Sequence, residues 1–140
     1  MEVAVAAVFV WLGMVAAISF IEAPLKFRAP GITRELGLGI GRLVFKALNG
    51  SEAVLAIVAM VALAMDDASQ AIWLTLVVAF AIVVVQGAMI HTVMDKRAAR
   101  IVLGETLQES RQHVVYIGLE AVKVVLLIVT GVLLLRQLGS

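Results

Sequence analysis

The sequence predicts an all-helical integral membrane protein, a four-transmembrane-helix up-down bundle, and three observations carry that prediction. Hydrophobic residues make up 63% of the 140-residue chain, against roughly 45–50% in ordinary soluble domains, and the mean hydropathy is +1.10. The apolar residues fall into four runs, at about 3–21, 47–65, 71–90 and 114–135, each near the ~20 residues that cross a ~30 Å hydrocarbon core. Lys and Arg gather in alternate connections: Lys26, Arg28, Arg34, Arg42 and Lys46 in the first, none in the second, and Lys96, Arg97, Arg100 and Arg111 in the third. At this length the whole chain, 1–140, is expected to be one membrane domain.

The first span runs from Val3 to Ile21, between Glu2 and the group Glu22, Lys26 and Arg28. No positive residue precedes it, so a retained helix is expected rather than a cleaved signal peptide. Pro24, Pro30 and Gly31 predict a break. Thr33 to Leu48 then sets Leu36, Ile40, Leu43 and Val44 at helical spacing beside Arg34, Arg42 and Lys46, which predicts an amphipathic interfacial helix between the first and second spans.

The second span admits two readings. Ala53 to Met65 is too short to cross alone. Either Asn49-Gly50-Ser51 breaks the helix and leaves Glu52 in a first turn, or the helix reaches back to Lys46 and buries Asn49, Ser51 and Glu52. The longer span is preferred, because the third must return after only Asp66 to Gln70. That third span, Ala71 to Ile90, carries Trp73 as an interfacial anchor. Asp95 to Arg111 is a charged segment expected to be helical, and Val114 to Leu135 is the fourth span. Positive residues stay inside, so the first and third connections are expected in the cytoplasm and both termini outside, in a prokaryotic cytoplasmic membrane.

Composition excludes several classes. The chain has no cysteine, which removes disulfides, thiolate metal sites and cysteine nucleophiles. Net charge is +1 and the basic residues flank apolar spans, so a nucleic-acid surface is not expected.

The residues out of place are the polar ones inside the spans, since an ionisable group there costs about 2.5–3.5 kcal/mol on insertion scales. Counting a rise of about 1.5 Å per residue from the middle of each span, Lys123 falls near the midplane, Glu120 about 5 Å, Glu52 about 6 Å and Gln86 roughly 5–7 Å toward the cytoplasm. His113, Tyr116, Glu120 and Lys123 follow one another by three, four and three residues, which puts them on one helix face. Glu120 and Lys123 can pair directly; with Glu52 the group carries formal charge −1, so a protonated carboxyl or a bound cation is expected. Glu52, Gln86, Tyr116, Glu120 and Lys123 are thus the candidate site for a substrate or ion. The plainer reading is that Gln86, Glu120 and Lys123 only tie helices together and that Glu52 is a helix-start carboxylate. Glu22, about 12 Å from the midplane, is expected to pair with Lys26 or Arg28. Gly37-x-Gly39-x-Gly41 permits close backbone contact or a hinge.

A metal is the other candidate ligand. His91, Met94 and Asp95 share a helix face, His113 opens the next span, and Met with His can hold Cu(I). The competing reading is that both histidines are interfacial polar residues. No nucleophile, base and orienting group stand in recognisable spacing, so an enzyme is not expected, nor a cofactor beyond that metal ion.

Trp11-Leu12-Gly13, then Phe20, Ala23-Pro24 and Phe27, then Gly41 and Phe45, with a charged stretch before a last helix near His113, give the chain a likeness. It resembles the uncharacterised small four-helix membrane proteins allied to the copper-resistance D superfamily, chiefly over its first third. The resemblance implies a four-helix bundle that handles a metal or a small molecule, and supplies no catalytic residue. The functional expectation is transport or permeation of a proton, cation or small polar solute through the intramembrane polar cluster, in a homo-oligomer embedded in the lipid bilayer. The alternatives are a non-catalytic scaffold or accessory subunit, and a metal- or haem-binding membrane protein.

Overall fold

A computed structural model describes residues 1–91 and 111–140, with side chains from Val114 onward in the second stretch. Among the described residues the fold consists of four helical rods: α1 over Glu2–Arg28, α2 over Arg34–Ala64, α3 over Gln70–Met89 and α4 over Arg111–Leu138. Each holds a stretch long and apolar enough to cross a membrane. Their outward faces carry Val3, Ile57, Val61, Leu74, Val125 and Leu135, all exposed. Helices apolar both toward one another and away from one another are what a lipid solvent selects.

In α1 the α-helix Glu2–Val15 passes into a π-helical segment, Ala16–Glu22, and ends in single turns at Ala23–Leu25 and Lys26–Arg28. Its inward residues are Ala4, Ala7, Val8, Trp11, Val15 and Ser19. The last step, from Val15 to Ser19, is of four residues, and the widened turns of the π-helical segment keep Ser19 facing the bundle. Pro24 does not break the helix as expected. It follows Ala23, whose N–H still reaches the Ile18 carbonyl, so its missing donor falls in the last turns of the rod. The break comes at Ala29, which is extended (ψ 136), because the residue before a proline, here Pro30, is driven out of the helical region. Gly31 takes φ 78, which a side chain would oppose. Thr33 then caps α2, its Oγ1 accepting the Leu36 N–H at 3.1 Å.

The amphipathic segment is not a separate interfacial helix, which corrects that part of the expected fold. It continues without interruption into the second span, and at 31 residues α2 is about 46 Å long. Asn49-Gly50-Ser51 fails to break it because the polar groups find partners within the helical frame. Ser51 Oγ donates to the Ala47 carbonyl at 2.9 Å, and Asn49 Nδ2 donates across to the Val83 carbonyl of α3, also at 2.9 Å. Glu52 therefore lies past the middle of a long helix, and the helix-start alternative for it is overturned.

Helix α1 packs against α2 and α4, while α3 packs against α2 and α4. One end of the bundle holds the 65–69 turn and both chain ends: Met1 N contacts Asp66, and Gln137 takes the Ser69 N–H at 3.1 Å and donates to the Asp67 carbonyl. This is the terminal end. At the opposite, loop end the first and second helices meet through their small residues. A Cβ on Gly37 would lie 2.3 Å from Phe27 Cε1, and one on Gly41 would lie 2.9 Å from Lys26 Nζ. The close-contact reading of that glycine run holds for Gly37 and Gly41, whereas Gly39 faces open space.

A buried charge cluster shared by four helices

Helix α4 repeats its inward residues every seven: Tyr116, Lys123, Thr130 and Gln137 in one file, and Glu120, Leu127 and Leu134 in the other. This is the seam of a helix packed in a bundle. It delivers Glu120 and Lys123 together to the centre, where the other three helices answer them. Lys123 Nζ lies 2.6 Å from Glu120 Oε1, 2.6 Å from Glu52 Oε2 of α2 and 2.6 Å from Gln86 Oε1 of α3. An ammonium has three protons, and each has an acceptor on a different helix. Gln86 turns its Nε2 to Glu120 Oε1 at 2.8 Å and to the Tyr116 carbonyl at 3.4 Å.

Helix α1 closes the cluster from the remaining side. Trp11 Nε1 donates to Glu52 Oε2 at 2.7 Å, and Ser19 Oγ, within the π-helical segment, donates to Glu120 Oε2. None of Trp11, Ser19, Glu52, Gln86, Glu120 and Lys123 exposes more than 4% of its surface. Two carboxylates and one ammonium leave formal charge −1, in surroundings that contribute hydrogen-bond donors but no second cation from the described residues.

Four of the five candidate residues from the sequence, Glu52, Gln86, Glu120 and Lys123, therefore meet in one network. Tyr116 stands beside it: its carbonyl takes part, while its buried ring packs edge-on against Phe45, with centroids 5.6 Å apart. Trp11 and Ser19 were not among the candidates. A hydrogen-bond donor in mid-span is the signal that could have found each, since buried indole N–H and hydroxyl groups usually take a partner. Glu22 pairs with Lys26 at 3.6 Å, one of the two partners expected.

Of the metal candidates, His91 follows α3 and is exposed, while Met94 and the His113 side chain lie outside the described residues. Among the described residues no three His, Cys, Asp or Glu side chains gather as a ligand set. No family model, curated protein or solved structure matches the chain, so the likeness to the copper-resistance D superfamily rests on its own residues alone.

Proposed function

We propose that this chain crosses a cell membrane four times in up-down order, with both termini outside. In this reading the buried cluster binds and passes one positive charge, a proton or a small cation. One observation carries the reading: two carboxylates share a single ammonium where almost no surface is exposed. An uncompensated charge does not persist in such a place, so a further positive charge belongs there, and its arrival and departure are the elementary steps of transport. Ionisable groups inside spans mark ion and proton routes more often than not. The orientation is supported by the Lys and Arg count of the connections.

Flux into liposomes reconstituted with the full chain tests this. Entrapped pH dye reports protons, and tracer sodium or rubidium reports the alkali cations. Glu52→Gln and Glu120→Gln should each lower flux of the transported cation by about tenfold or more, equivalent to ~1.4 kcal/mol in the rate-limiting barrier. Unchanged flux in both folded variants would sink the proposal.

A second reading, a scaffold whose charges specify helix packing, is favoured by the saturation of Lys123, whose three protons are all placed. Replacing Glu120 with Gln and Lys123 with Met together separates the two. A folded but inactive protein supports the charge-passing site, and a folded, fully active one supports the scaffold.

A further inference from the structure

On the terminal side of Lys123 the bundle interior is closed by Leu63, Ile72, Leu76, Leu127 and Leu134, all at 0% exposure. A polar contact between helices there, Thr130 with Thr75 at 2.7 Å, uses hydroxyls that also face the carbonyls of Leu126 and Ala71. Toward the loop end the sequence of groups is different. Ser19 holds Glu120, and three residues further along α1 stands Glu22, within the same π-helical segment.

Glu22 keeps 36% of its side chain exposed, yet its Oε2 is shielded and accepts no hydrogen bond from the described residues. Its nearest cation, Lys26 Nζ, stops at 3.6 Å. That ammonium is held elsewhere as well, with the Phe27 and Phe45 rings at 5.6 and 5.7 Å, inside the reach of a cation–π contact, and with Gly41 leaving it room. A shielded carboxylate oxygen whose ion-pair partner stays beyond hydrogen-bond distance asks for a reason. Here it belongs to a carboxylate three residues beyond Ser19, which itself holds Glu120, on a stretch of π-helix, a conformation that recurs at functional sites.

We propose that Glu22 is the station through which the central cluster exchanges its compensating charge with the loop end, and that Lys26 is the chain's own cation guarding that station. This rests on the reading of the cluster as a charge-passing site. The charge enters at Glu22 as a proton or small cation, displaces the long contact with Lys26, and moves past Ser19 to Glu120; no bond other than that of the passing ion is made or broken.

The test uses the same liposomes with wild type, Glu22→Gln, Glu22→Asp, Lys26→Met, Glu52→Gln and Glu120→Gln, each checked for folding by circular dichroism and size exclusion. The pH dye and the tracers together say whether the charge is a proton or an alkali cation. Glu22→Gln should lower the flux by about tenfold and Glu22→Asp should keep most of it. If Glu120→Gln abolishes flux while Glu22→Gln stays within about twofold of wild type, Glu22 is off the route: the inference is overturned and the reading of the cluster stands. If flux survives at both Glu52 and Glu120, that reading falls and this inference with it. Should Glu22→Gln not fold, Lys26→Met decides, since it keeps the carboxylate and removes its guard: flux should rise by about threefold, and unchanged flux overturns the proposal.

Discussion

Between Lys123 and the terminal end the four helices meet through Ala4, Val8, Ala59, Leu63, Leu76 and Leu134; between Lys123 and the loop end, apolar Leu48 and Ile90 are joined by Ser19, Gln86, Glu120, Tyr116 and Lys26. In the proposed membrane setting the first half has no hydrophobic drive, since lipid chains are as apolar as leucine, and it is held by close packing of small and branched side chains. The second half adds directional groups to its packing, each of which is costly to leave unpaired. Packing of the first kind tolerates piecemeal change, whereas the charge network stands or falls as a unit.

The largest expected effect breaks the network at its centre. Lys123→Met leaves Glu52 and Glu120 buried without their cation and should destabilise the bundle by about 3–5 kcal/mol, measured by reversible unfolding in mixed micelles. Adding Glu52→Gln and Glu120→Gln to it should recover most of that loss; a triple variant as unstable as the single would show that the damage lay in packing. Leu76→Ala, in the apolar half, should cost about 2–3 kcal/mol in the same assay through the cavity it leaves. No second-site polar change should recover it, and a rescue by Glu52→Gln would erase the distinction between the halves. Trp11→Phe keeps most of the ring but removes the donor to Glu52, with an expected loss of about 1.5–2 kcal/mol, as for a hydrogen bond to a charged group. A double-mutant cycle with Glu52→Gln should show coupling of the two sites. Smallest is Thr130→Val, which removes one contact in the apolar half and should cost only about 0.6 kcal/mol; a loss as large as that of Trp11→Phe would mean the terminal half also depends on its polar groups.

Much of the fold was legible because its signals are local. The apolar runs at 71–90 and 114–135 differ from the helices Gln70–Met89 and Arg111–Leu138 by a few residues at most, since length and hydropathy alone define a span. Glu52 was placed at the level of Glu120 by counting rise per residue, and the two do share Lys123. Legibility failed where the outcome turns on neighbours. Pro24 reads as a breaker by propensity, yet it is absorbed in the last turns of α1, and Pro30 makes the break instead. Asn49-Gly50-Ser51 reads as a cap or as helix interior; the short return to the third span favours the interior, and the Val83 carbonyl on another helix supplies the partner that accommodates it.

What the sequence determined by itself is the set of four apolar stretches long enough to span a membrane, because hydropathy and a fixed rise per residue need no tertiary information. Only the tertiary structure decided that Trp11 and Ser19 complete the cluster, that Lys123 gives one proton to each of three helices, and that Glu22 stands below them with an oxygen to spare. Those outcomes depend on the rotation of each helix about its axis and on the π-helical turns of α1. Both are set by packing between segments far apart in the chain, which no local pattern encodes.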